Sequence, residues 1–122
     1  METDVLREFI AFNESSFLTP SAFGKIENQN LHNLSAADLI IITHPLFLPE
    51  AQQLADFHKN HDTLSTVVVT PQEIYNEFSS GMQDISALKH FVKMFYDKAT
   101  SAVDMPQYLL LFGDGSYDNR TR

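Results

Sequence analysis

Cysteine is absent from all 122 residues. That excludes a disulfide framework, a thiolate zinc site and a cysteine nucleophile within them. Positive charge is scarce as well: 8 Lys and Arg stand against 16 Asp and Glu, a formal net charge of -8. Such a field repels phosphate backbones and anionic headgroups, so nucleic acid is not an expected partner. No apolar run approaches the ~20 residues of a membrane-spanning helix. The N-terminus, Met1-Glu2-Thr3-Asp4-Val5, is acidic where a signal peptide is basic and then apolar. Repeats and low-complexity tracts are also lacking; Asn28-Gln29-Asn30 with His32-Asn33 makes only a short polar loop.

What is present suits one globular unit. At 43% hydrophobic and 20% charged, a chain of this length buries roughly two-thirds of its unfolded surface. Val5 to Phe12 has the composition of a strand, but Phe17, Leu18 and Phe23 after it show no period, so residues 1–34 form a boundary region whose pairing is open. Asp38 to Thr43 is an unbroken β-branched run, as in a strand buried on both faces. Pro49 opens a helix to about Asn60, with Ala51, Leu54, Ala55 and His58 on one face. Leu64 to Val69 is the next strand, and Thr70-Pro71-Gln72-Glu73 is a capping box that starts a short helix through Phe78, closed by Ser79-Ser80-Gly81. Asp84 caps a longer helix to about Lys98 that sets Ile85, Leu88, Phe91, Val92 and Phe95 against the sheet. Pro106 leads into a last strand, Gln107 to Phe112.

The order β, β, α, β, α, α, β predicts an α/β fold: a mostly parallel sheet with helices on both faces. Parallel strands with right-handed crossovers bring Thr43-His44, Thr70-Pro71 and Gly113-Asp114 to one edge, where open α/β sheets bind ligands. Leu109 to Asp118 reads as a buried strand that ends at an unfinished site. A central strand is followed by a covering helix, and only eight residues come after Asp114. The expectation is a piece of a larger α/β domain.

Leu109 to Asp114 has the strand-then-Asp shape of a magnesium-holding element, but nucleotide hydrolysis also needs a phosphate loop. The Gly24-Lys25 pair has Thr19 in place of the first glycine and no Ser or Thr after the lysine. A dinucleotide fingerprint fails because Asp118 occupies the third glycine's place. Asp114, Ser116 and Asp118 alternate like the first ligands of a calcium loop, yet the next glycine is Asn119; the alternative is a polar turn. No other cofactor is expected. His58 and His61 have a zinc-compatible spacing at what is also an ordinary solvated helix end. His44 follows a buried strand at the ligand-binding edge; a loop hydrogen bond is its plainer role. Gly113 to Tyr117 lacks the last glycine of a nucleophile elbow. The phenylalanines sit at core spacing.

Taken together, Ala36 to Pro45, Thr70 to Gly81 and Pro106 to Asp118 resemble the gingipain-type cysteine peptidase domain, closest to its sortase-like members in the type IX secretion system of Bacteroidetes. The resemblance implies a caspase-like fold whose first subdomain corresponds to residues 1–122. In that family the catalytic histidine and cysteine come later, on neighbouring strand ends. Neither carries over: cysteine is missing, and His44 precedes the Gly-Asp turn that the family's histidine follows. The implied parent enzyme, at the cell surface and outer membrane, removes C-terminal sorting domains from secreted cargo and transfers the new carboxyl end to an amine. A thiolate would attack, with histidine moving the proton. The implied partners are the rest of the catalytic domain and protein substrates. Asp114, Tyr117 and Asp118 become rim residues of that centre, with His44 beside them, and this chain is inert alone.

Two other classes stay open from sequence. One is a self-contained flavodoxin-like or receiver-like binding module using Asp114 and Thr70 at strand ends, although receivers gather several acidic residues there. The other is a structural oligomer paired through an open sheet edge.

Overall fold

Five apolar or β-branched residues in a row leave no side free for solvent, and Leu39–Thr43 (β1) is buried along its whole length. The computed structural model describes residues 8–13, 15, 17–22 and 24–114. β1 is followed by α1 (Leu48–His61), β2 (Thr66–Val69), α2 (Pro71–Phe78), α3 (Ile85–Lys98) and β3 (Tyr108–Phe112). The sheet order is β2-β1-β3, with both pairings parallel. Leu39 lies opposite Thr66 on one side and Tyr108 on the other.

The pleat splits β1 between two cores. Ile40 and Ile42 join Val69, Ile74, Ala87, Phe91 and Phe95 beneath α2 and α3. Leu39 and Ile41 meet Ala51 and Ala55 of α1, with Leu110 and Phe112 packed against them. Alanine at both buried positions of α1 lets that helix lie close on the sheet. On the other face Phe78, Phe91 and Phe95 stack edge to face, with centroids 5.6 and 5.3 Å apart, the geometry that ring quadrupoles favour.

The ends of β1 are tied by polar groups. Asp38 accepts from the Ser65 backbone N–H at 2.8 Å and its hydroxyl at 2.6 Å, and its carbonyl accepts from the N–H groups of Gln107 and Tyr108. Hydrogen bonds from the Ser65 side chain and then its backbone hold the Asp38 carboxyl below the usual carboxylate range. The expected capping box is present: Thr70 Oγ1 accepts from Glu73 N, and the Glu73 carboxylate accepts from Thr70 N. Asp84 caps α3 as expected, accepting from Ser86 N.

Glu77 of α2 anchors the chain entering β1. Its carboxylate, with a side chain 15% exposed, accepts from Leu31 N at 2.7 Å, His32 N at 3.1 Å, His32 Nδ1 at 2.6 Å and Gln29 Nε2 at 3.0 Å. The His32 ring also stacks on Phe78 at 4.4 Å, and Lys98 donates to the carbonyls of His32 and Leu34. Burial pushes the Glu77 carboxyl up, but the bonds from Leu31, Gln29 and His32 together outweigh it and hold it at about 2.

Three expectations need correction. Glu8 to Phe12 forms no strand and is exposed, because no strand lies beside it to take up its backbone groups; Val5 to Arg7 lie outside the described residues. Ile85 is 71% exposed instead of packed. β3 is not buried: it is an edge strand, with Leu109 50% and Leu111 63% exposed. One cause underlies the last two. An apolar groove of about 630 Å³, lined in part by Ile85, Val92, Tyr96, Leu109 and Leu111, runs between α3 and β3 with none of the described residues laid over it.

Glu77→Ala leaves the N–H groups of Leu31 and His32 without their charged acceptor and should cost about 2 kcal/mol in urea unfolding. A carboxyl depressed in the folded state contributes stability that is complete above its ordinary value of 4.5 and lost as pH falls toward about 2. Acid titrations should therefore show a fall across that window in wild type that is flatter in Glu77→Gln. Thr70→Ala, which removes the hydroxyl cap, should cost about 1 kcal/mol.

Candidate functional site

Strand order reverses at β1: the chain leaves by α1 to β2 on one side and returns by α2 and α3 to β3 on the other. At such a reversal the connections diverge and open a crevice beyond the carboxyl ends of the strands. Here those ends are Thr43-His44 and Phe112-Gly113-Asp114. They line a cleft of about 620 Å³ together with Ile42, Phe47, Pro71, Leu88 and Leu111.

Each wall has a local cause. Pro45 holds the preceding His44 extended, at φ -64 and ψ 143. The His44 ring then caps the short 3₁₀ turn Pro45–Phe47, its Nδ1 accepting from Leu46 N at 3.2 Å. When the ring is neutral its proton therefore sits on Nε2. The turn places Phe47 edge-on to Phe112, with centroids 6.3 Å apart at 89°. Thr43 is 1% exposed; its hydroxyl lies 3.2 Å from Phe112 O and 3.3 Å from His44 O, donating inward across the two strand ends. Gly113 sits at φ +148, where a side chain would be strained.

Of the residues singled out from sequence, His44 and Asp114 line the same cleft. Tyr117, Asp118 and the remainder of the calcium-like run lie outside the described residues. Thr70 is at the edge, but its hydroxyl is committed to Glu73 at 2.7 Å, so the receiver-like use of that group finds no support. His58 and His61 are elsewhere, at the end of α1. Both Nδ1 atoms lie on Asp62, at 2.6 and 2.8 Å, and hydrogen bonds from His61 and then His58 hold that carboxyl below its ordinary range. Among the described residues no three His, Cys, Asp or Glu side chains are placed to hold a metal ion, and no helix is long and apolar enough to cross a membrane.

Sequence reasoning placed Pro71 at this edge but missed Phe47 and Leu88 as cleft walls. A bulky aromatic just after a strand-ending His-Pro was the readable signal for Phe47; Leu88 arrives from an element distant in sequence. The cleft offers an apolar floor, one imidazole and one exposed carboxylate. It holds no thiol.

The sequence matches peptidase family C25 over residues 32–121. Among solved structures the chain is similar to the crystal structure of dimeric latent PorU from Porphyromonas gingivalis, at 43% identity and a TM-score of 0.78. The alignment covers 87% of this chain and 10% of that one. No curated protein sequence matches it.

Thr43→Val removes the hydroxyl tie between strand ends and should cost about 1 kcal/mol of unfolding free energy. Gly113→Ala adds strain at positive φ with only Phe47 nearby, at 4.0 Å, and should cost about 1–2 kcal/mol by the same measurement.

Proposed function

Because this chain belongs to peptidase family C25, the gingipain family, we propose that it is the N-terminal subdomain of a gingipain-like cysteine peptidase and carries no catalysis of its own. The observation behind this reading is the family match, which runs from His32 across all three strands and beyond Asp114. The absence of cysteine agrees with it: a C25 enzyme attacks through a thiolate, so the nucleophile belongs to another part of the protein.

The subdomain's contribution is positional. β1 and β3 present His44, Gly113 and Asp114 as one wall of the active centre. The uncovered edge of β3 and the groove beside it receive the next strand and helix of the catalytic domain, which supplies histidine and cysteine. Burial of the leucines on β3 would then hold the two parts together.

By likeness to PorU, the parent enzyme removes C-terminal sorting domains from type IX secreted cargo and acts at the cell surface of a Bacteroidetes bacterium. General base chemistry by the later histidine and an oxyanion site of backbone N–H groups would complete the reaction.

Incubated with unfolded peptide substrates, the chain should release no product; turnover that survives repurification would overturn the proposal. Mixed with the remaining catalytic segment, it should co-elute as a stable complex in size exclusion. Deleting the parent gene should leave sorting domains on secreted cargo, read as a mass increase of intact cargo. Unchanged cargo would remove the assignment to type IX processing.

A further inference from the structure

We propose that the cleft at the ends of β1 and β3 is a subsite for an uncharged apolar side chain of an extended peptide, whose main chain is held at the lip by His44 and Asp114. The proposal rests on the peptidase reading above and names the substrate feature that this wall selects.

The floor decides the side chain. Ile42, Phe47, Pro71, Leu88, Leu111 and Phe112 surround the space. The one hydroxyl at its base, on Thr43, is directed to Phe112 O and His44 O. A lysine or glutamate head set on that apolar floor gives up water and finds polar groups only at the exposed lip, His44 and Asp114, a cost larger than the gain from a screened charge there. An aliphatic or aromatic side chain loses apolar exposure instead. The volume of about 620 Å³ falls in the range of ligand pockets, with room for the flanking peptide units.

The lip decides the main chain. Since His44 uses Nδ1 to accept from Leu46 N, Nε2–H is the donor left to the neutral ring. Asp114 is an exposed carboxylate at the end of the neighbouring strand. An extended peptide presents a carbonyl and an N–H on each residue. A donor and an acceptor that line one cleft with an apolar floor therefore complement one peptide residue lying in it. The net charge of -8 disfavours an acidic side chain further.

The test titrates the isotope-labelled chain with capped four-residue peptides that differ only at one position, carrying Leu, Phe, Lys or Glu, at up to millimolar concentration. Saturable amide shifts at Thr43, His44 and Gly113 are expected with Leu and Phe, at affinities roughly tenfold above Lys and Glu. Equal responses, tighter binding of the Lys peptide, or no shift at these residues overturns the proposal. His44→Asn keeps an oxygen where Nδ1 accepts but removes the outer N–H; it should weaken binding roughly fivefold with an unchanged melting temperature. His44→Gln, whose amide N–H reaches the Nε2 position, should bind more tightly than His44→Asn. Binding unchanged in His44→Asn would reduce His44 to a turn cap and overturn its assigned role. The peptidase reading fails separately: turnover by the longer protein without apolar preference sinks the subsite alone, and apolar binding with no turnover by that protein sinks the peptidase reading alone.

Discussion

The structure depends on the complete burial of β1. Five consecutive residues shielded from water require a helix layer above, a helix layer below and a hydrogen-bonded strand on each side. The remaining elements meet those demands in turn. α1 covers the face of Leu39 and Ile41; α2 and α3 cover that of Ile40 and Ile42. Polar ties at the two ends hold the register: Asp38 joins the starts of all three strands, and Thr43 joins the finish of β1 to that of β3. A one-residue slip would turn the isoleucines to the wrong cores and break both ties.

Placing β1 in the centre also creates the cleft. The chain must leave it in both directions, and the two departures expose the strand ends to a shared crevice. The same topology leaves β3 with one partner. Leu109 and Leu111, suited to a covered strand, stand half in solvent beside an open groove. The uncovered face and the cleft lie on one side of the molecule, since Leu88 and Leu111 border both. A catalytic partner docking along β3 would therefore arrive beside the lip formed by His44 and Asp114.

Much of the fold was legible because short-range chemistry carries it. Thr70 and Glu73 are three residues apart and satisfy each other, so the start of α2 was readable. Ala51 and Ala55, a helical turn apart, marked the buried face of α1. The anchor at Glu77 was not readable: its partners lie 45 to 48 positions away, and a glutamate late in a helix looks like any solvated one. The edge position of β3 was hidden for a related reason. An apolar strand has the same composition whether a neighbour covers it in this chain or elsewhere. In the site, His44 and Asp114 were placed at the correct edge by the strand order, while the apolar character of the cleft depended on Phe47, Pro71 and Leu88 converging from three separate elements.

By itself the sequence determined the alternating strands and helices, their caps, the parallel arrangement and the lack of a thiol, because periodicity, capping pairs and residue identity are local properties. The tertiary structure alone decided which strand is central, which face stays open, and that His44 accepts a backbone hydrogen bond through Nδ1 while lining one apolar-floored cleft with Asp114. Those are outcomes of long-range packing: side chains up to 70 residues apart acquire a common environment only once β1 is enclosed.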